Sequence, residues 1–125
     1  MYPTFTKSEA KAIVSLVIDV AVCDDNFDIK EQRYVLIIAN RFGLNESDIQ
    51  AAQALTPDVV CNTFSSMSTE KRKIGTAIVF TACMVDGQIS NAERRLLTYI
   101  SRNCDFVDSG SERPDVIASN WIENR

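Results

Sequence analysis

Two segments of the chain are apolar around almost the whole circumference of a helix. Between Ile13 and Cys23, the residues Ile13, Leu16, Val17 and Val20 have the spacing of one helical face, yet Val14, Ile18 and Val22 are apolar as well. Between Ile74 and Val85 the same holds for Ile74, Ile78, Val79, Phe80, Cys83, Met84 and Val85. A helix without a polar face must be covered on more than one side, so both segments are expected at the centre, packed against each other. No stretch alternates apolar and polar residues at period two, between turn residues, for the length of a strand. The pattern therefore predicts an all-α fold.

The polar residues between these segments mark where helices start and stop. Thr6 or Ser8 can cap the first central helix, and Asp24-Asp25-Asn26-Phe27 breaks it near Cys23. Asp28-Ile29-Lys30-Glu31 reads as a capping box opening a second helix, which runs to Phe42 and is closed by Gly43. Asn45 caps a short helix carrying Ile49 and Leu55, and Thr56-Pro57-Asp58 starts another that ends near Ser66; both are expected to be peripheral. Ser68 caps the second central helix, and Val85-Asp86-Gly87-Gln88-Ile89 interrupts it. Ser90-Asn91-Ala92-Glu93 is a second capping box, opening a helix to about Asn103. After a polar loop from Asp108 to Glu112, Pro114 starts a last helix docked by Trp121 and Ile122. About seven helices are expected, in a single domain over residues 1–125.

The two halves repeat. Aligning Asp24 with Asp86, an offset of 62 residues, superimposes Phe27 on Ile89, Asp28 on Ser90, Glu31 on Glu93, Arg33 on Arg95 and Ile38 on Ile100 without a gap. Upstream, Leu16, Val17 and Ile18 fall on Ile78, Val79 and Phe80, so the central helices correspond too. Two pseudo-symmetric helix–acidic turn–helix units around two central apolar helices are the expected architecture. Together, Cys23-Asp24-Asp25-Asn26-Phe27-Asp28-Ile29-Lys30-Glu31 and Val85-Asp86-Gly87-Gln88-Ile89-Ser90-Asn91-Ala92-Glu93 resemble the paired DG-x-I-x-x-x-E turns of TerB-like tellurite-resistance domains. The resemblance covers Ser8 to about Asn103. It implies an internally symmetric helical fold, a metal site formed by the acidic turns, and a bacterial stress-response role rather than catalysis. It also implies partners among the proteins of a membrane-associated stress complex. Asp25 departs from the family pattern, standing where the first turn usually has Gly.

Composition narrows the chemistry. The chain has 125 residues, 46% of them hydrophobic and 24% charged, with only four Gly and three Pro, which suits a few long helices in one core. Its net charge of −4, with no local cluster of Lys and Arg to offset it, argues against nucleic acid as a partner. Met1 to Ala10 lacks an apolar signal core, and the stretch from Ile13 to Cys23 is too short to span a bilayer. A cytoplasmic protein that does not insert into membranes is expected. Cys23, Cys61, Cys83 and Cys104 form no CxxC pair and read as reduced core residues. There is no histidine, which removes Ser-His-Asp and Cys-His catalysis and every His-bearing metal site. Any metal must then be held by oxygen, or less favourably by sulfur.

Candidate chemistry concentrates in the turns. Glu31 and Glu93 are explained as capping-box residues. Asp24 and Asp86 are not, because each follows the end of a long helix, where exposed carbonyls disfavour a carboxylate by about 0.3–1 kcal/mol. A local rule broken twice at equivalent positions suggests a function: carboxylates beside helix-end carbonyls make a hard oxygen cage suited to a divalent cation of the Ca²⁺ or Mg²⁺ class. The candidate ligands are Asp24, Asp25, Asp28, Glu31, Asp86 and Glu93. The alternative is that both Asp side chains simply bond turn N–H groups. An EF-hand is excluded, since the sixth position from Asp24 is Ile29 and the twelfth Val35, with Asn91 and Leu97 in the second turn. Lys11, Ser15 and Asp19 form a polar stripe on the first central helix, expected to be solvated. Lys71-Arg72-Lys73 and Arg94-Arg95 can pair with the acidic turns, bind an anionic partner or form a solvated face.

The leading expectation is a non-enzymatic module that binds a cation at the paired turns and signals to other proteins. A structural helical adaptor, with turns that only cap helices, is the alternative. Metal-assisted hydrolysis by Asp24, Glu31, Asp86 and Glu93 is disfavoured without a histidine. Pseudo-twofold symmetry puts the turns together near the axis or at opposite ends of the central pair; the first is expected, since six carboxylates brought together call for a cation.

Overall fold

The computed structural model describes residues 2–23, 29–85 and 89–124. Those residues form seven helices and no strand: α1 Lys7–Val22, α2 Ile29–Phe42, α3 Glu46–Gln53, α4 Pro57–Ser65, α5 Thr69–Met84, α6 Asn91–Asn103 and α7 Pro114–Glu123. The polar punctuation works as anticipated. Thr6, Asn45, Thr56, Ser68 and Ser90 occupy N-cap positions, each accepting a backbone N–H of the first turn in its side chain. Gly43 ends α2 with φ +76°, a conformation that costs glycine little, and the Leu44 N–H then bonds the Ala39 carbonyl.

The two apolar segments are the centre of the molecule. α1 buries ten of its sixteen residues and α5 eight of its sixteen, more than any other helix, so these two carry the core. α1 packs against α2, α3, α4 and α5, while α5 packs most extensively against α7 and next against α1. This encirclement explains why α1 is apolar on nearly all sides, with only a narrow polar stripe.

How α1 and α5 meet follows from contacts between equivalent residues. The offset of 62 pairs Glu9 with Lys71, and the two side chains form an ion pair at 2.8 Å. It also pairs Ile13 with Gly75, and Ile13 Cδ1 lies 3.3 Å from the point a Gly75 Cβ would occupy. Like positions touching like positions on successive turns means the helices run side by side in the same direction, with the pseudo-twofold axis along them. In an antiparallel pair, Glu9 and Ile13 would instead meet residues towards the end of α5, in reversed order. Both central helices, α1 ending at Val22 and α5 at Met84, consequently finish towards the same end of the molecule.

Three local expectations need correction. α4 is not peripheral: Val60 and Phe64 are buried, and Phe64 is among the largest wholly enclosed side chains, filling the space Gly75 leaves open. The Lys11-Ser15-Asp19 stripe is not uniformly solvated, for Ser15 is buried while Asp19 is exposed. A hydroxyl enters a helix interface at small cost, whereas a carboxylate needs partners to do so. Among the basic residues, Lys71 bonds Glu9, and Arg72 donates to the carbonyls of Met67 and Asp105 and to the Thr69 hydroxyl. Both side chains stitch the start of α5 to its surroundings, far from where that helix ends; Arg94 and Arg95 are exposed.

Candidate functional site

The end where α1 and α5 finish is also where α2 and α6 begin, and of the candidate ligands it carries Glu31 and Glu93. Ser90 sits at the N-cap of α6: its Oγ accepts from the Glu93 N–H at 3.1 Å, and Glu93 Oε1 accepts from the Ser90 N–H at 2.9 Å. This is the reciprocal capping box, and it closes over a carboxylate only 3% exposed. Glu31 holds the equivalent third position of α2, which starts at Ile29, and is 4% exposed. Two buried glutamates at matching places are hard to attribute to a solvated surface. Asp24, Asp25, Asp28 and Asp86 lie outside the described residues, and so does the expected N-cap of α2 at Asp28. Among the described residues, no three acidic or thiol side chains are grouped as a metal site.

A cross-repeat hydrogen bond ties this end together. Tyr34 in α2 donates its hydroxyl to the Ile78 carbonyl of α5 at 2.8 Å, in a buried setting. Tyr34 is five residues into α2 and Ile78 six residues before the end of α5, so the two helix termini lie at similar height. Asp19, one turn before the end of α1, has its carboxyl raised above its ordinary value by desolvation from the surrounding chain, although its surface is exposed. The described carboxylates at this end, Asp19, Glu31 and Glu93, offer oxygen, the donor of a hard cation, and Cys23 at the end of α1 adds a thiol.

The same region carries apolar surface that the periodicity argument passed over. Val22, Ile29, Leu36 and Ile37 are all exposed, on the last turn of α1 and along α2. Ile29 and Leu36 are seven residues apart, a spacing that puts them on one helical face; this was the available signal. Beside them, Ile18, Val22, Gln32, Val35, Leu36, Ile49 and Gln53 line a groove of about 420 Å³ between α1, α2 and α3. At the far end of α2, Phe5, Phe42 and Trp121 form an aromatic cluster, with the Arg41 guanidinium 4.3 Å from the centre of the Trp121 ring. Arg41 also donates to the Trp121 and Asn124 carbonyls, so this group fastens α7 to α2.

No protein-family model matches the chain, and no curated protein matches it. Among solved structures, it is similar to the crystal structure of PG1108, a protein of unknown function from Porphyromonas gingivalis W83. The superposition has a TM-score of 0.74 and 20% identity, covering 98% of this chain and 99% of that one. The all-α fold is thus shared along the full length of both chains. Among the described residues, no helix is long and apolar enough to cross a membrane.

Proposed function

We propose that the chain is a non-enzymatic stress-response module of the tellurite-resistance kind. In this reading it acts in the cytoplasm, binds a divalent cation at its two acidic turns and transmits the bound state to partner proteins. The observation that supports it most is the parallel arrangement of α1 and α5, fixed by the Glu9–Lys71 and Ile13–Gly75 contacts, which brings both helix ends to one end of the molecule. Carboxylates gathered there repel one another unless a cation joins them. Asp24, Asp25, Asp28 and Asp86 are the proposed direct ligands. Glu31 and Glu93, buried at the starts of α2 and α6, hold the turns in place, and Glu93 already spends one oxygen on the Ser90 N–H. The apolar surface of Val22, Ile29, Leu36 and Ile37 flanks this end and supports protein partners that read the turns.

Titration calorimetry with Ca²⁺, Mg²⁺ and Mn²⁺ tests the proposal. Saturable heat with one of them, a melting temperature that rises with that ion, and loss of both in the Asp24→Asn, Asp86→Asn double variant are expected. The variant should also be more stable than the parent when no ion is added, because two repelling charges are gone. One observation favours a second reading: Glu93 Oε1 is fully used as a helix cap. If no ion gives saturable heat, the turns only cap helices and the chain is a structural adaptor.

A further inference from the structure

The groove between α1, α2 and α3 has a counterpart in the second half of the chain. Phe80, Ile89, Arg94, Leu97, Thr98 and Arg102 line most of a groove of about 470 Å³ between α5 and α6. The offset of 62 carries Ile18 onto Phe80, Gln32 onto Arg94, Val35 onto Leu97 and Leu36 onto Thr98, so four lining residues of one groove are the equivalents of four in the other. The two differ in what closes them. α3 is the third wall of the first groove: Ile49 lines it and packs against the core, and the neighbouring Asp48 carboxylate lies 3.5 Å from Lys7 Nζ and 3.8 Å from Lys11 Nζ. An acidic helix of the chain itself, offering one aliphatic side chain, therefore covers that groove. Among the described residues, the second groove has no third helix, and its lining comes from α5, α6 and Ile89 just before α6.

The second groove is complementary to such a helix. Its floor is apolar: Leu97 is buried, Phe80 and Ile89 are half-buried, and the Phe80 ring lies 6.0 Å from the Phe106 ring, centre to centre. Arg94, Thr98 and Arg102 recur at every fourth position of α6, all exposed, and so form one rim along the groove. In a chain of net charge −4, both guanidinium groups are without an ion pair or hydrogen bond among the described residues, whereas Lys7, Lys11 and Lys71 are each paired with a carboxylate. We infer that the groove between α5 and α6 docks an acidic amphipathic helix of a partner protein, which takes the place that α3 takes in the first half. Arg94 and Arg102 are two turns apart, about 12 Å along α6. The partner helix then carries two carboxylates seven or eight positions apart and, between them, an aliphatic side chain that meets Phe80 and Leu97. The rim charges fix orientation and partner choice, while the apolar floor supplies contact area. This surface is separate from that of Val22, Ile29, Leu36 and Ile37, and docking on it needs no cation at the acidic turns.

The test titrates the full chain, nitrogen-15-labelled and without divalent ions, with a synthetic peptide of about 18 residues, long enough to be helical, that presents Glu, Leu and Glu at four-residue intervals on one face. A fluorescent form of the peptide gives the affinity. The expected result is saturable binding, amide shifts confined to α6 and the facing part of α5, and no binding of a peptide with the same residues shuffled. Arg94→Glu combined with Arg102→Glu should weaken binding about tenfold or more. Lys30→Glu combined with Arg33→Glu, the same change of charge on exposed positions of α2, should leave it nearly unchanged. A peptide with Lys in place of both Glu residues should bind the Arg94→Glu, Arg102→Glu protein more tightly than it binds the parent, a rescue that a variant which had merely unfolded could not show. No saturable binding, shifts along α1 and α2 instead, equal affinity for the shuffled peptide, or failure of the charge swap would overturn the inference. So would dodecanoate displacing the peptide from this groove with equal affinity, which would make it a fatty-acid site.

Discussion

Glu9 and Lys71 occupy equivalent positions in the two halves of the chain and touch each other, Lys71 Nζ to Glu9 Oε1 at 2.8 Å, across the pseudo-twofold axis. Two identical charges at that point would repel, so the halves have diverged there into opposite signs. Glu9 also accepts the Thr6 N–H at 2.8 Å. Glu9→Gln retains that cap, since Gln serves in a capping box, and removes only the charge. Both side chains are mostly enclosed, and the loss should be about 1 kcal/mol at pH 7, between exposed and buried pairs. Burial raises the Glu9 carboxyl, but its bonds to Lys71 and Thr6 outweigh this and hold it below its ordinary value of 4.5. The contribution is then present above pH 4.5 and lost as pH falls through the lowered value. Urea unfolding of parent and variant should differ at pH 7 and converge near pH 3.

The second axial contact resolves crowding by size rather than charge. A Cβ at Gly75 would lie 2.7 Å from Phe64 Cε2 and 3.0 Å from Cζ, within a fully buried ring that has no room to retreat. Gly75→Ala should therefore destabilise by about 1–2 kcal/mol, with overpacking outweighing the gain in helix propensity. In Phe64→Leu, the same Gly75→Ala change should cost less or become favourable. Equal costs in both backgrounds, measured by denaturant unfolding, would reject this account of the contact.

These two contacts also explain what was legible in the sequence. Asn45, Thr56, Ser68 and Ser90 could be placed as caps, and the first cap narrowed to Thr6 or Ser8, because capping depends on a few adjacent residues. The all-α class and the two central helices were legible because α1 and α5 have apolar residues on every side. The axis was not: Glu against Lys and Ile against Gly look unrelated in an alignment, and only contact reveals them as matched. Phe64 was missed for a similar reason, since its burial depends on how α4 meets elements distant in sequence. Of the six candidate carboxylates, Glu31 and Glu93 could be assigned a structural role because a cap is local, whereas a shared site depends on tertiary approach.

The capping box on α6 yields a third prediction. Ser90→Ala leaves the Glu93 N–H without its side-chain acceptor and should cost about 1 kcal/mol. Glu93→Ala should cost at least as much, because it frees the Ser90 N–H and removes a side chain that is 97% enclosed. The two losses should not add, as either change breaks the same reciprocal pair. Additive losses in the double variant would mean that Glu93 owes its burial to something other than the cap.

Tyr34 gives the last prediction because its hydroxyl joins the two repeats. It donates to the Ile78 carbonyl at 2.8 Å, and that carbonyl already belongs to the hydrogen-bonding pattern of α5, so the bond adds a link between helices. Tyr34→Phe should cost about 0.5–1.5 kcal/mol at neutral pH, the usual net value of such a bond. Desolvation, joined by the nearby Cys83, pushes the Tyr34 phenol far above its ordinary value of 10.0. An acid raised on folding stabilises the protein fully below its unfolded value and loses that stabilisation as pH rises above it. The parent should therefore lose stability above about pH 10 more steeply than Tyr34→Phe, which has no phenol at this site. A difference spectrum between the two proteins at the tyrosinate band should stay flat above pH 10 while they are folded, then rise when the parent unfolds. A tyrosinate signal from Tyr34 that appears before unfolding would mean that α2 separates from α5 in the native protein, and with it the end of the molecule where the acidic turns are attached.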